Sequence, residues 1–303
     1  MSTVIAAFLN PLLIIAMPLY LGIWLARRLK AEWRPFGLGM LTFIGSQVLH
    51  IPFNAWALSP LIRGLQLNSN PGTLSLAVVS VLLGLSAGVF EESARYLVYH
   101  RWLPKPRSPV CAGRCGWRDG LMFGAGHGGA EAILVGILVF YSFLQLMALR
   151  NVDLTTVLKA EQLESTRIVL QNYWSLPWYA HLIPALERAG AICVQLSLSL
   201  LVLQAFSRRN GAWFGLAILW HAIVDAVAVF AVQTWGMYVA EGLVVLSALL
   251  SIGIIFALRG HEEAKSQAEI ELPIQPLLLP HIEPKAEELD RDKLDESRYH
   301  EGS

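Results

Sequence analysis

Glu91, Glu92 and Arg95 stand together in an otherwise apolar stretch, Gly88–Val89–Phe90–Glu91–Glu92–Ser93–Ala94–Arg95. On a helix the two carboxylates point about 100° apart. The arginine, four residues from one and three from the other, reaches either. Such pairing holds one carboxylate ionised and leaves the other to act as a base; an ion pair at a helix end is the alternative use of the same residues. His127 and Glu131 lie one helical turn apart in Gly126–His127–Gly128–Gly129–Ala130–Glu131, and His221 and Asp225 repeat that spacing. A carboxylate one turn from an imidazole can orient the ring or share a metal ion with it.

Acids and imidazoles of this kind suit proton transfer and hydrolysis, which needs an activated water and a stabiliser for the developing oxyanion. A carboxylate kept away from water serves as general base, and imidazoles position the water or polarise the carbonyl. Zinc held by His127 and His221 with a carboxylate would do both. The chain has no His-Glu-x-x-His, so a metal site would have to be assembled across helices. Metal-assisted and glutamate-driven hydrolysis both remain open at this stage. Cys111 and Cys115, four apart with no second ligand pair nearby, are a weak zinc candidate.

A second polar set supports the first or ties helices together: Gln47, His50 and Asn54 in one apolar segment, with Pro52 between the last two, and Glu187, Arg188 and Gln195 in another. Glu187 and Arg188 read as a buried ion pair. Gly120, Gly124, Gly128, Ala132 and Gly136 form a ladder of small residues, which lets a neighbouring helix come close.

The elements that must carry these groups are membrane helices. Of 303 residues, 55% are hydrophobic and only 15% charged, with 23 basic and 23 acidic side chains. Soluble domains carry about 25% charge. The composition argues against a disordered chain and against a nucleic-acid binder, which needs a basic surface. Three cysteines are too few for a disulfide scaffold. About 20 apolar residues cross a bilayer, and seven windows qualify: 4–25, 36–59, 72–98, 120–149, 174–204, 212–235 and 236–258. Backbone amides in lipid must bond within the segment, and no alternating barrel strands are present, so the expected fold is an all-α, polytopic helix bundle in the cell membrane. The first window is read as a retained helix rather than a removed signal peptide.

Basic residues follow every second span, as in Arg27, Arg28, Lys30 and Arg34, then Arg101, Lys105 and Arg107, then Arg208 and Arg209, then Arg259. The positive-inside rule then places the N-terminus outside and the C-terminus in the cytoplasm. The expected organisation is a transmembrane domain over 1–259 and an acidic cytoplasmic tail over 260–303, largely disordered. That tail holds Pro273, Pro276, Pro280 and Pro284 and a short apolar patch, Leu277–Leu279. A charge at the centre of a membrane helix costs about 2.5–3.5 kcal/mol on insertion scales, so the intramembrane Glu, His and Asp are the functional candidates. At about 1.5 Å per residue, those of three spans fall at nearly one depth, on the cytoplasmic side of the midplane.

Taken in order, Glu91–Glu92–x–x–Arg95, Phe123–x–x–x–His127 and His221–x–x–x–Asp225 resemble the CAAX prenyl protease and bacteriocin-processing superfamily with its PrsW relatives. The chain is most similar to the YhfC-type intramembrane metalloproteases: their Gly-His-Gly-Gly-x-Glu-Ala stretch matches Gly126–Ala132, and their early Gln-x-x-His matches Gln47–His50. The resemblance spans roughly residues 40 to 230. It implies an endopeptidase acting on a membrane protein or peptide in the lipid bilayer. Glu91 and Glu92 would supply the base, and Arg95, His127, His221 and Asp225 would complete the site. Glu131, Gln47, His50, Asn54 and Glu187 would support it, and zinc would be held by His127 and His221. The same intramembrane acids would also suit a proton-coupled transporter, and an inactive-peptidase scaffold would keep the residues without the activity.

Overall fold

Seven helices are long and apolar enough to cross a membrane: Ser2–Leu29, Trp33–Gly64, Thr73–Trp102, Trp117–Leu149, Trp178–Ser207, Ala212–Thr234 and Met237–Arg259. The computed structural model describes residues 2–67, 72–102 and 116–271, the stretch 260–271 as backbone only. Among the described residues every regular element is helical, as a chain whose backbone must bond within each lipid-crossing segment requires. The Cys111–Cys115 pair and the tail from residue 272 lie outside the described residues. Residues 1–263 form one unit and 264–303 a second, the latter described only through its helical start.

The long helices are α1 (Ser2–Leu29), α2 (Trp33–Phe53), α4 (Thr73–Trp102), α5 (Trp117–Leu149), α8 (Ile183–Ser207), α9 (Ala212–Thr234) and α10 (Met237–Glu271). α10 runs on beyond residue 259. After Pro52 the second span widens into a π-helical turn, Asn54–Leu58, and continues as α3 (Ser59–Gly64). Proline removes a helix hydrogen bond and pushes on the preceding turn, so the helix is deformed here without ending. The mixed loop between the fourth and fifth spans is also largely helical: α6 (Leu154–Val157), capped by the Asp153 side chain, and α7 (Ala160–Ser175). The Thr155 amide and hydroxyl both donate to the Asp153 carboxylate and hold its pKa below the ordinary value. Leu176 and Pro177 take extended backbone between α7 and a 3₁₀ turn, Trp178–Leu182, so the fifth span starts later than its apolar window.

Five helices close into a ring: α2 packs on α4, α4 on α9, α9 on α8, α8 on α5, and α5 back on α2. α1 lies outside, against α5 and α8. At one end of the bundle the close of α4 meets the starts of α5 and α9 and the close of α8, through Tyr99–Phe123, Tyr96–Phe214 and Tyr96–Phe206. At the other end the start of α1 meets the close of α5 and the start of α8. There Phe8 lies against Phe140 and Phe143, and the Ala185 amide donates to Asn10 Oδ1.

Candidate active site

Small residues set how near the ring helices come. A Cβ at Gly39 would lie 2.0 Å from the Phe123 carbonyl oxygen, and one at Gly126 1.9 Å from that of Phe36. α2 and α5 therefore touch backbone to backbone, which brings the stripe bearing Gln47 against the one bearing His127. A Cβ at Gly84 on α4 would meet the Ala222 carbonyl oxygen on α9 at 2.5 Å, and one at Gly128 would meet Gln195 Cβ on α8 at 2.8 Å. Each ring contact thus delivers one polar side chain to the centre. At about 1.5 Å per residue, Glu91, His127 and His221 all lie roughly 14–17 Å from their helix ends at the Tyr99 end of the bundle. The shared level expected from the spacing holds, a few ångströms deeper because α4 and α5 start or end beyond their apolar windows.

The two adjacent carboxylates are held differently. Glu92 is fully buried and belongs to Arg95, whose NH1 stands 3.2 Å from its Oε1, and to His221, whose Nδ1 is 2.7 Å from the same oxygen. Glu91 lies 3.9 Å from Arg95 NH2. Its closer partners are uncharged amides and an imidazole: Gln47 Nε2 donates to its Oε1 at 3.0 Å, His127 Nε2 is 3.1 Å from its Oε2, and Gln195 Nε2 is 3.5 Å from that atom. Arg95 NH2 also donates to Gln195 Oε1. His221 Nε2 stands 4.0 Å from Glu91 Oε2 and 3.6 Å from Asp225 Oδ2. Its orienting partner is Glu92, on another helix, rather than Asp225 one turn away.

All six residues expected to be catalytic, Glu91, Glu92, Arg95, His127, His221 and Asp225, therefore meet in one place. Among the expected supporting residues only Gln47 bonds directly to a carboxylate of the cluster. His50 and Asn54 form a separate buried tie with Ser86 of α4: His50 Nε2 is 3.1 Å from Ser86 Oγ and 2.9 Å from Asn54 Nδ2, and the Ser86 hydroxyl donates to Asn54 Oδ1. Glu131 does not touch His127; Arg188 NH1 donates to it at 2.7 Å and Gln195 Nε2 at 2.8 Å. Glu187 takes the other side of Arg188 at 2.5 Å, the ion pair expected from their adjacency. Gln195, expected with Glu187 and Arg188 to support the site or tie helices together, joins the two groups. Its one sequence signal is an amide in the middle of an apolar span, which Gln47 shares.

Two imidazoles and a carboxylate are the donor types of a catalytic zinc site, and Glu92 behind His221 is the kind of orienting partner such a ligand has. The arrangement does not complete one. Among the described residues no three His, Cys, Asp or Glu side chains are gathered as a group that could hold a metal ion. The Nδ1 of His127 has no hydrogen-bond partner to orient it as a ligand. What stands here is a hydrogen-bonded cluster around Glu91 with a guanidinium beside it.

A Bacillus subtilis (strain 168) membrane protein, YhfC, itself uncharacterized, is 30% identical over 220 residues, covering 70% of this chain and 79% of that one. No solved structure matches. The sequence model of a family described as YhfC intramembrane metalloprotease matches residues 13–246, a range that takes in the whole cluster. With seven apolar helices and a membrane-protein relative, this is a multi-pass membrane protein, and the chain belongs to the YhfC intramembrane metalloprotease family.

Proposed function

We propose that the protein is an intramembrane endopeptidase that hydrolyses a peptide bond of a membrane-associated protein or peptide, with Glu91 as the base that activates water. The observation that carries this reading is the unequal treatment of two neighbouring carboxylates. Glu92 is bound to Arg95 and His221. Glu91 is positioned by Gln47, His127 and Gln195 and stands 4.0 Å from His221 Nε2. A carboxylate held by hydrogen-bond donors at a fixed place, in surroundings short of water, is suited to take a proton from a water molecule.

In this mechanism the water lies between Glu91 and His221. Glu91 accepts its proton as the oxygen attacks the scissile carbonyl carbon. Glu91 then returns the proton to the leaving nitrogen as the carbon–nitrogen bond breaks. His221, protonated on both ring nitrogens in this step, donates from Nδ1 to Glu92 and from Nε2 to the carbonyl oxygen where negative charge develops, the place at which a preorganised donor contributes most. Arg95 and Gln195 act through Glu91 and Glu92 as positioning residues. The family description implies a metal ion; His127 and His221 are the imidazoles that would hold it, and it would polarise the carbonyl or the water. Stoichiometric metal in the purified protein, lost in His127→Ala, would give the histidines a ligand role.

The test is cleavage of a fluorogenic membrane-spanning peptide by protein reconstituted in liposomes. Glu91→Gln should lower the rate by about 10²–10⁴-fold, the usual contribution of a general base. Full cleavage by Glu91→Gln and by His221→Ala would reject the site.

A further inference from the structure

A second polar layer lies against the first, and it is displaced in one direction only. From the Glu91 cluster it is reached by moving from His127 to Glu131 on α5, from His221 to Asp225 on α9, from Gln195 to Arg188 on α8 and from Gln47 to Asn54 on α2. α2, α5 and α9 run away from the Tyr99 end of the bundle, and α8 runs toward it, so all four moves lead to the opposite end, by about 6–10 Å at 1.5 Å per residue. The two layers differ in access. The Arg95, Glu92 and His127 side chains are 0% exposed, whereas Asp225 is 42%, Glu187 38% and Glu131 23% exposed.

An exposed carboxylate halfway along a membrane helix faces either lipid or an aqueous interior. Asp225 faces inward. Its Oδ2 lies 3.6 Å from Nε2 of His221, whose ring is itself turned into the bundle toward Glu91 and Glu92 on α4. Intramembrane charges are tolerated where they line a water-filled cavity or meet partners; the Glu131–Arg188–Glu187 chain supplies the partners, and its side chains are partly exposed.

We infer that the buried cluster is entered from the bundle end where α8 begins and α5 closes, through a polar vestibule lined by Glu187, Arg188, Glu131 and Asp225, of which Asp225 stands next to His221. The vestibule narrows onto Glu91 and His221, and Asp225 lies about 14 Å from the close of α9 at that end. Its carboxylate accepts from backbone N–H groups of an entering peptide segment and aligns the next carbonyl with His221. By the alternation of basic loops this end is extracytoplasmic, so the entering segment is an extracytoplasmic or membrane-spanning stretch. The identity of that segment rests on the peptidase reading; the route does not.

Cysteine accessibility tests the route without requiring turnover. In a background with Cys111, Cys115 and Cys193 changed to Ser, Asp225→Cys, Glu131→Cys and Asn54→Cys are exposed to a charged, membrane-impermeant methanethiosulfonate added outside intact cells. Val227→Cys, on the exposed apolar face of α9, is the lipid-facing control. The expected result is modification of the Asp225→Cys and Glu131→Cys proteins from outside and none of the Val227→Cys protein. Asn54→Cys carries the same expectation if a variant in the charged chain fails to accumulate. The inference is overturned if these positions react only when the reagent reaches the cytoplasmic face, or only with a lipid-soluble maleimide as at Val227. Modification from outside in a protein that cleaves no peptide would leave the route standing and sink the peptidase reading alone.

Discussion

Replacing Arg95 by methionine tests how the charges at the centre of the ring are held. Arg95 is 0% exposed and stands 3.2 Å from Glu92 and 3.9 Å from Glu91, with Gln195 completing its contacts. Methionine keeps the unbranched apolar stem but not the guanidinium head, so the change removes the charge together with the head group's volume. The variant strands Glu92, itself 0% exposed, with only His221 Nδ1 as a close partner. Removing one partner of a buried pair costs about 3–5 kcal/mol, because the remaining charge is uncompensated. For a domain of this size each kcal/mol lowers the melting temperature by about 2–4 °C, so the expected drop is roughly 6–20 °C. The second arm distinguishes charge from shape. Glu92→Gln placed in the Arg95→Met protein removes the stranded carboxylate and should restore more than half of the loss. The assay is the fraction remaining monodisperse on size exclusion in detergent after a series of heating steps. The reasoning is refuted if Arg95→Met melts within about 2 °C of the parent, below 1 kcal/mol on the same scale, or if the double variant is no more stable than the single one.

Other outcomes follow from the same contacts. Gly126→Ala sets a methyl group 1.9 Å from the Phe36 carbonyl oxygen and should destabilise by about 1–3 kcal/mol as α2 is pushed from α5. Gly45→Ala, with nothing within 4 Å, should be neutral or gain up to about 1 kcal/mol from helix propensity, in the same thermal assay. Gln47→Leu removes one donor to Glu91 while leaving Arg95 in place. It should slow peptide cleavage by about tenfold, the equivalent of one hydrogen bond to a charged group, with the melting temperature nearly unchanged. Ser86→Ala breaks the His50–Asn54 tie, which lies off the reacting centre. It should cost about 1 kcal/mol of stability and leave the cleavage rate of the folded fraction unaltered.

Much of the protein was legible from the residues alone because the relevant physics is local. Whether a segment can cross a bilayer depends on its own length and polarity, so seven spans could be counted before any packing was known. The depth of Glu91, His127 and His221 follows from the fixed rise of a helix, and the cost of placing such groups in lipid marks them as candidates wherever they occur. Spacing also gave the pairs within one helix, Arg95 with its two glutamates and Arg188 beside Glu187. Where the local rules met local exceptions the boundaries moved: Leu176 and Pro177 separate α7 from the fifth span, and α2 passes through a π turn after Pro52.

The tertiary structure decided which of those groups belong to one another. Arg95 is three residues from Glu92 and four from Glu91, and helical spacing permits either pairing. His221 on α9 claims one carboxylate and Gln47, His127 and Gln195 surround the other. Spacing brings His221 together with Asp225 and His127 with Glu131, yet each ring has its closer partner on α4. Such choices depend on how far each helix is rotated about its own axis. That rotation is set by contacts between segments distant in sequence, such as Gly39 with Phe123, Gly84 with Ala222 and Gly128 with Gln195. A periodic pattern reveals that a helix has a polar face, but the azimuth of that face becomes fixed only when small residues on neighbouring helices let the backbones meet.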